Sequence, residues 1–128
     1  MVSLDSSFLI DLLAGEERAV AKAQELDRTA EPRFITAPAA AEVLVGGYYL
    51  GGVYFTRTKT LVDSIPLLPF DRPSCHEAGR LGSALATRGS PLSQSDLYIA
   101  AITLRHGERL LTRDRGFIKV PGLNIEGY

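Results

Sequence analysis

Apolar positions along this chain follow two rhythms, short continuous runs and helical spacings, and the two alternate. Met1 to Leu4 reads as a short apolar strand that runs directly into Asp5. Phe8, Leu9, Leu12 and Leu13 then recur at helical spacing, with Ser6 or Ser7 able to cap the helix and Gly15 to end it. Glu16 to Arg28 is rich in Ala, Glu, Lys and Arg and suits a second helix with a solvated face. Arg33 to Thr36 is a second short strand, and Pro38 sits where a helix accepts proline, at its first position. Gly46, Gly47, Gly51 and Gly52 interrupt the helical pattern beyond it, so residues 38–64 predict a helical hairpin instead of one rod. Ile65 to Phe70 reads as a third strand, and Pro66 and Pro69 place it toward a sheet edge.

Asp71 caps a predicted helix over 72–88, closed by Gly89. Ser93 or Ser95 opens another, with Leu97, Ala100, Ala101 and Leu104 as its apolar stripe, ended by His106 and Gly107. Arg109 to Thr112 is a fourth strand leading into Asp114, and Leu123 to Ile125 a fifth. Strands alternating with helices predict a mostly parallel five-stranded sheet with helices on both faces, an α/β architecture. With 128 residues and no repeat or linker-like stretch, residues 1–128 read as one domain.

Composition narrows the chemistry. Apolar residues make up 45% of the chain, enough for a packed core, and no apolar run reaches the roughly 18 residues that span a bilayer. The opening residues lack the basic head and cleavage site of a signal peptide, and a lone cysteine, Cys75, has no internal partner. Both features predict a cytoplasmic protein. A net charge of −1 excludes gripping nucleic acid by bulk charge, so any such role rests on a local site.

Four acids supply one. In a parallel sheet, functional groups gather beyond the strand C-termini, where the strand order reverses. Asp5 follows the first strand and Asp114 the fourth; Glu42 lies early in the helix after the second strand, and Asp96 in the first turn of the helix before the fourth. Apolar neighbours on both sides of Glu42 predict that it is partly buried. Four gathered carboxylates repel one another, and a divalent cation removes that cost. An all-oxygen set selects Mg²⁺ or Mn²⁺, ions that act on phosphate esters. Taken singly, Asp96 also fits a dipole-favoured first-turn acid and Asp114 a plain turn residue.

Four segments, in order, resemble the PIN-domain family and especially its VapC-type toxins: Leu4-Asp5-Ser6-Ser7-Phe8-Leu9-Ile10-Asp11, Ala41-Glu42-Val43, Ser95-Asp96-Leu97-Tyr98-Ile99-Ala100-Ala101, and Leu110-Leu111-Thr112-Arg113-Asp114 with Phe117 after it. The resemblance implies a three-layer α/β/α sandwich and an endoribonuclease using Mg²⁺ or Mn²⁺. It also implies a homodimer inhibited by a small VapB-like antitoxin. On it, Asp5, Glu42, Asp96 and Asp114 are the metal-binding and catalytic acids, with Ser6 and Thr112 in support. Gly116 stands where many relatives carry a further acid, a departure that leaves a second metal short of one ligand.

Arg113 and Arg115 flank Asp114, and Lys119 comes soon after; these are expected to hold the RNA backbone, against a reading as ordinary surface charge. Asp11 reads as a solvated helix-face residue, and Glu16, Glu17, Glu25, Asp27, Asp63, Glu108 and Glu126 as surface acids. His76 and His106 have no partner at a zinc-ligand spacing, and Cys75 reads as a small buried or half-buried side chain. The block Tyr48, Tyr49, Leu50, Val53, Tyr54 and Phe55 fits either core filling or an interface, and the interface reading is preferred. Two rival functions remain. One is a phosphatase with Asp5 as nucleophile, which lacks the acid such enzymes carry two residues later because Ser7 stands there. The other is a non-catalytic PIN-like module that only binds a partner.

Overall fold

The computed structural model describes residues 1–128. Its strands are β1 (Val2–Leu4), β2 (Arg33–Thr36), β3 (Leu67–Leu68), β4 (Arg109–Leu111) and β5 (Asn124–Glu126). Its helices are α1 (Ser6–Leu13), α2 (Glu17–Thr29), α3 (Ala37–Leu50), α4 (Gly52–Asp63), α5 (Arg72–Thr87) and α6 (Gln94–Arg105), with a 3-10 helix at Arg115–Lys119. The sheet order is β3-β2-β1-β4-β5 and every pairing is parallel.

That order has one functional consequence. The chain steps outward from β1 through β2 to β3, then returns to lay β4 on the other side of β1. Right-handed crossovers put the helices before β3 and those after it on opposite faces, giving the α/β/α sandwich. The reversal falls between β1 and β4. Leu4 pairs in register with Leu111, and the Asp5 amide donates to the Leu111 carbonyl at 3.0 Å. Asp5 and Thr112 therefore leave the sheet side by side at its switch point.

The central strands are covered on both faces and carry mostly apolar side chains, with Ser3 of β1 buried among them. Val2, Leu4, Ile35, Leu110 and Leu111 pack with Phe8 and Leu9 of α1, Val43 of α3, Leu81 and Leu85 of α5, and Ile99 of α6. Each of the larger ones contributes about 1.5–3 kcal/mol by its burial. α3 and α4 form the expected hairpin. Its turn is Gly51-Gly52, at φ 66° and 58°, a conformation costly for any residue with a Cβ.

Several expectations shift. The N-cap of α1 is Asp5, not Ser6 or Ser7, because the helix begins at Ser6 itself; the Asp5 side chain makes no cap bond. Pro38 is the second helical residue, after Ala37, with Thr36 capping through the Ala39 amide. β3 is only Leu67–Leu68, since the flanking prolines have no N–H to donate, though its edge position is as expected. Cys75 is exposed on α5 and not buried. Glu108 is buried and not a surface acid: its amide donates to the Thr103 carbonyl, which tucks it under α6 just before β4. Of the two candidate caps for α6, Ser93 takes the role. No helix is long and apolar enough to cross a membrane.

Candidate active site

Asp5 is the fixed point of the site. It is 3% exposed, and its Oδ2 accepts from Thr112 Oγ1 at 2.7 Å and from Ser7 Oγ at 2.8 Å. Ser7 and Thr112 are themselves 3.2 Å apart. The other oxygen, Oδ1, is buried without any hydrogen-bond partner. A buried carboxylate oxygen left bare costs on the order of 1–3 kcal/mol or more, so this atom calls for a positively charged partner.

Glu42 approaches from α3. It is exposed, contrary to the expectation of partial burial, because its sequence neighbours lie on other sides of the helix. Its Oε1 nevertheless accepts from Ser95 Oγ at 2.6 Å and from Ser6 Oγ at 3.4 Å, hydroxyls contributed by α6 and α1. Three helices thus meet at one carboxylate.

Asp96 is half-buried in the first turn of α6, its amide held by Ser93 Oγ at 3.3 Å. Burial raises its carboxyl above the usual range, opposed by a bond from Ser93; the charges of Asp114, Asp5 and Glu42 raise it further. Asp5, Glu42 and Asp114 therefore all lie within electrostatic reach of Asp96.

Asp114 is exposed in the β4 exit loop. Its amide donates to Thr112 Oγ1 at 2.9 Å, so one hydroxyl serves both Asp5 and Asp114. Its Oδ1 accepts from the Gly116 amide at 2.8 Å, capping the 3-10 helix. A Cβ at position 116 would stand 3.1 Å from that same Oδ1, so glycine leaves the carboxylate room.

Sequence reasoning missed three contributors. Ser7 joins Asp5, Thr112 and the Arg113 amide, which donates to its Oγ at 3.3 Å; its place two residues after Asp5 was the one signal it gave. Ser95 holds Glu42, and as a hydroxyl neighbouring Asp96 it was visible only as a cap. Tyr128 has no sequence signal: its hydroxyl donates to Asp11 Oδ2 at 2.5 Å from the far end of the chain. Burial, then this bond, pushes the phenol well above its ordinary range. Asp11 is accordingly not a solvated residue. Its side chain is 15% exposed and also pairs with Arg113 Nε at 3.1 Å.

The basic residues stand around the Asp114 loop. Arg113 is outward-facing at 62% exposure despite that pair. Arg115 is exposed and pairs with no acid, and Lys119 Nζ reaches only the Pro91 carbonyl at 3.4 Å.

A hard divalent cation suits this donor set. The oxygens are all carboxylate or hydroxyl, Asp5 Oδ1 is bare, and the three neighbouring charges penalise ionisation of Asp96. As placed, no three of the acids form a ready cage. Asp114 is turned to its own backbone and Glu42 to two serines. Both are exposed to solvent.

Known proteins bear on this arrangement. No curated protein matches the chain in sequence. Its fold matches a chain of VapBC2 from Rickettsia felis, in a structure bound to a DNA fragment from their promoter, with TM-score 0.88 and 16% identity over 100% of this chain and 99% of that one. It matches FitAcB from Neisseria gonorrhoeae with TM-score 0.81 and 26% identity, over 98% and 96% of the two chains. A toxin–antitoxin complex from Klebsiella pneumoniae matches with TM-score 0.76 and 24% identity, over 96% and 95%. The PIN domain pattern itself matches residues 2–123, a span that takes in all four acids, and the chain therefore belongs to the PIN domain family.

Proposed function

We propose that this chain is the toxin of a toxin–antitoxin pair, a cytoplasmic Mg²⁺- or Mn²⁺-dependent endoribonuclease that hydrolyses RNA phosphodiesters. The observation that carries this reading is the bare, buried Oδ1 of Asp5 at the sheet's switch point, beside an Asp96 that feels the charges of Asp5, Glu42 and Asp114. Asp5, Glu42, Asp96 and Asp114 are the residues that would hold the ion. When bound, such an ion neutralises charge on the phosphodiester and polarises it for attack by water.

The chain's own residues prepare the site in separate ways. Thr112 and Ser7 hold Asp5 Oδ2, which leaves the buried Oδ1 as the oxygen without a partner, available to an ion. Ser6 and Ser95 fix Oε1 of Glu42 and leave its other oxygen unengaged. Arg113, Arg115 and Lys119 supply local positive charge for the RNA backbone on a chain with no net excess of it. Family membership and the toxin–antitoxin matches support the nuclease role.

The surface supports the partners. Val45, Tyr48, Tyr49, Leu50 and Val53 are all more than half exposed on the α3–α4 hairpin, and the Tyr48 and Phe55 rings lie 4.5 Å apart. A clustered apolar surface of this kind favours an interface over core filling. It is consistent with the homodimer and with the VapB-like antitoxin.

The deciding experiment is RNA cleavage by the purified chain with Mg²⁺ or Mn²⁺, with and without chelator, beside Asp5→Asn and Asp96→Asn. Chelator-sensitive cleavage that falls by on the order of a hundredfold or more in both variants is expected. Cleavage that persists in chelator, or in Asp5→Asn, overturns the reading.

A further inference from the structure

Beside the acids lies a second cluster that neither metal binding nor the fold accounts for. Asp11 Oδ2 accepts from the Tyr128 hydroxyl at 2.5 Å and forms an ion pair with the Arg113 guanidinium, whose Nε lies 3.1 Å away. The Tyr128 ring is itself fixed, edge-on to the buried Phe8 with centroids 5.0 Å apart. Arg113 precedes Asp114, and its amide is held by Ser7, which also holds Asp5. Arg113 is thus tied to the acid rim by both its backbone and its side chain. Its Nε faces Asp11, while the side chain remains 62% exposed and so accessible from solvent.

We infer that Tyr128 and Asp11 are positioning residues that aim the Arg113 guanidinium at a backbone phosphate of the RNA bound at the acid site. This rests on the nuclease reading above. An unrestrained arginine loses much side-chain entropy when it is fixed on a ligand. Holding the guanidinium against Asp11 by this ion pair removes part of that loss beforehand and leaves its exposed face free to meet phosphate. Tyr128 keeps Asp11 in place, for a carboxylate with one exposed partner is free to swing, and one also held by a packed tyrosine is not. Asp11 holds its position by partners from two directions, an ion pair on the β4 exit loop and a hydrogen bond from beyond β5.

The test compares wild type with Tyr128→Phe, Asp11→Asn and Arg113→Gln in steady-state RNA cleavage. Phenylalanine keeps the ring on Phe8 and removes only the hydroxyl. KM is expected to rise about threefold to tenfold in Tyr128→Phe and Asp11→Asn with kcat nearly unchanged, the mark of lost substrate binding. Adding Tyr128→Phe to Arg113→Gln is expected to change nothing more, because the two act through one contact. A readout free of catalysis is the mobility of the Arg113 side chain, read from 15N relaxation at Nε and expected to be restrained in wild type and freer in Tyr128→Phe. A wild type that cleaves RNA, with Tyr128→Phe unchanged in KM or additive with Arg113→Gln, overturns this inference alone. A wild type that cleaves no RNA overturns the nuclease reading together with the phosphate role. Should Tyr128→Phe fold poorly, Asp11→Asn, of the same size as the residue it replaces, decides by the same criteria.

Discussion

Thr112 Oγ1 donates to Asp5 Oδ2 at 2.7 Å, joining the exits of the two central strands, and it also receives the Asp114 amide at 2.9 Å. One buried hydroxyl therefore sets the position of two acids. Thr112→Val keeps the shape and removes the donor, leaving a buried carboxylate oxygen and a backbone N–H short of a partner. The expected loss is about 1–3 kcal/mol of stability, read from the urea midpoint at unchanged slope. Thr112→Ser, which retains the hydroxyl, is expected to recover most of it. Equal losses in the two variants would assign the effect to packing.

The positions of the four acids on their elements were legible from sequence because each sits at a place the fold fixes: a strand end for Asp5 and Asp114, a first helical turn for Asp96, the early part of a helix for Glu42. Their environments were less legible. Glu42 lies between Ala41 and Val43 in sequence, but successive helical residues turn by about 100°, so Val43 points to the core while Glu42 points out. Asp11 lies on the polar face of α1 in the same pattern, and only its bond to Tyr128, across 117 residues, makes it structural. No local periodicity encodes a contact of that span. The same limit applies to Glu108, whose burial depends on where the chain turns under α6.

Gly47 gives a prediction of opposite sign from the one helix propensity suggests. It is buried in α3, and a Cβ there would meet Thr58 of α4, with Cγ2 at 2.9 Å and Cβ at 3.0 Å. Thr58 is fully buried and its hydroxyl donates to the Tyr54 carbonyl at 2.8 Å, so it has little freedom to yield. In an open helix Gly→Ala stabilises by about 1 kcal/mol. Here Gly47→Ala is expected to destabilise by about 1–3 kcal/mol through overpacking, measured by thermal unfolding. Gly46→Ala, with nothing within 4 Å of its Cβ, serves as the control and is expected to stabilise. A stabilised Gly47→Ala would mean that the hairpin opens easily at this point.

The opposite end of the sheet from the acids carries a charged clasp with a defined pH response. Glu31, just before β2, accepts from Arg109 at the start of β4, with Nη2 at 2.8 Å and Nη1 on the other oxygen, and pairs with the Met1 amine at 3.3 Å. Arg109 also reaches Glu126 of β5 at 3.3 Å, so the clasp ties the beginnings of β1, β2 and β4 to β5. The arginine bond, then the amine, hold the Glu31 carboxyl down at about 2, against an ordinary 4.5, in spite of some opposing burial. A carboxyl whose folded-state value is depressed stabilises the fold at pH above its unfolded value and loses that contribution as pH falls through the folded one. The window here is therefore about pH 4.5 down to about 2. The side chain is 20% exposed, and solvent screening reduces the contribution to about 1 kcal/mol. Glu31→Gln is expected to be less stable than wild type by that amount at neutral pH, with the gap closing across this window in chemical-denaturation curves taken at successive pH values. A gap that stays constant down to pH 2 would show that Glu31 acts by its shape and hydrogen bonds, with its charge contributing nothing.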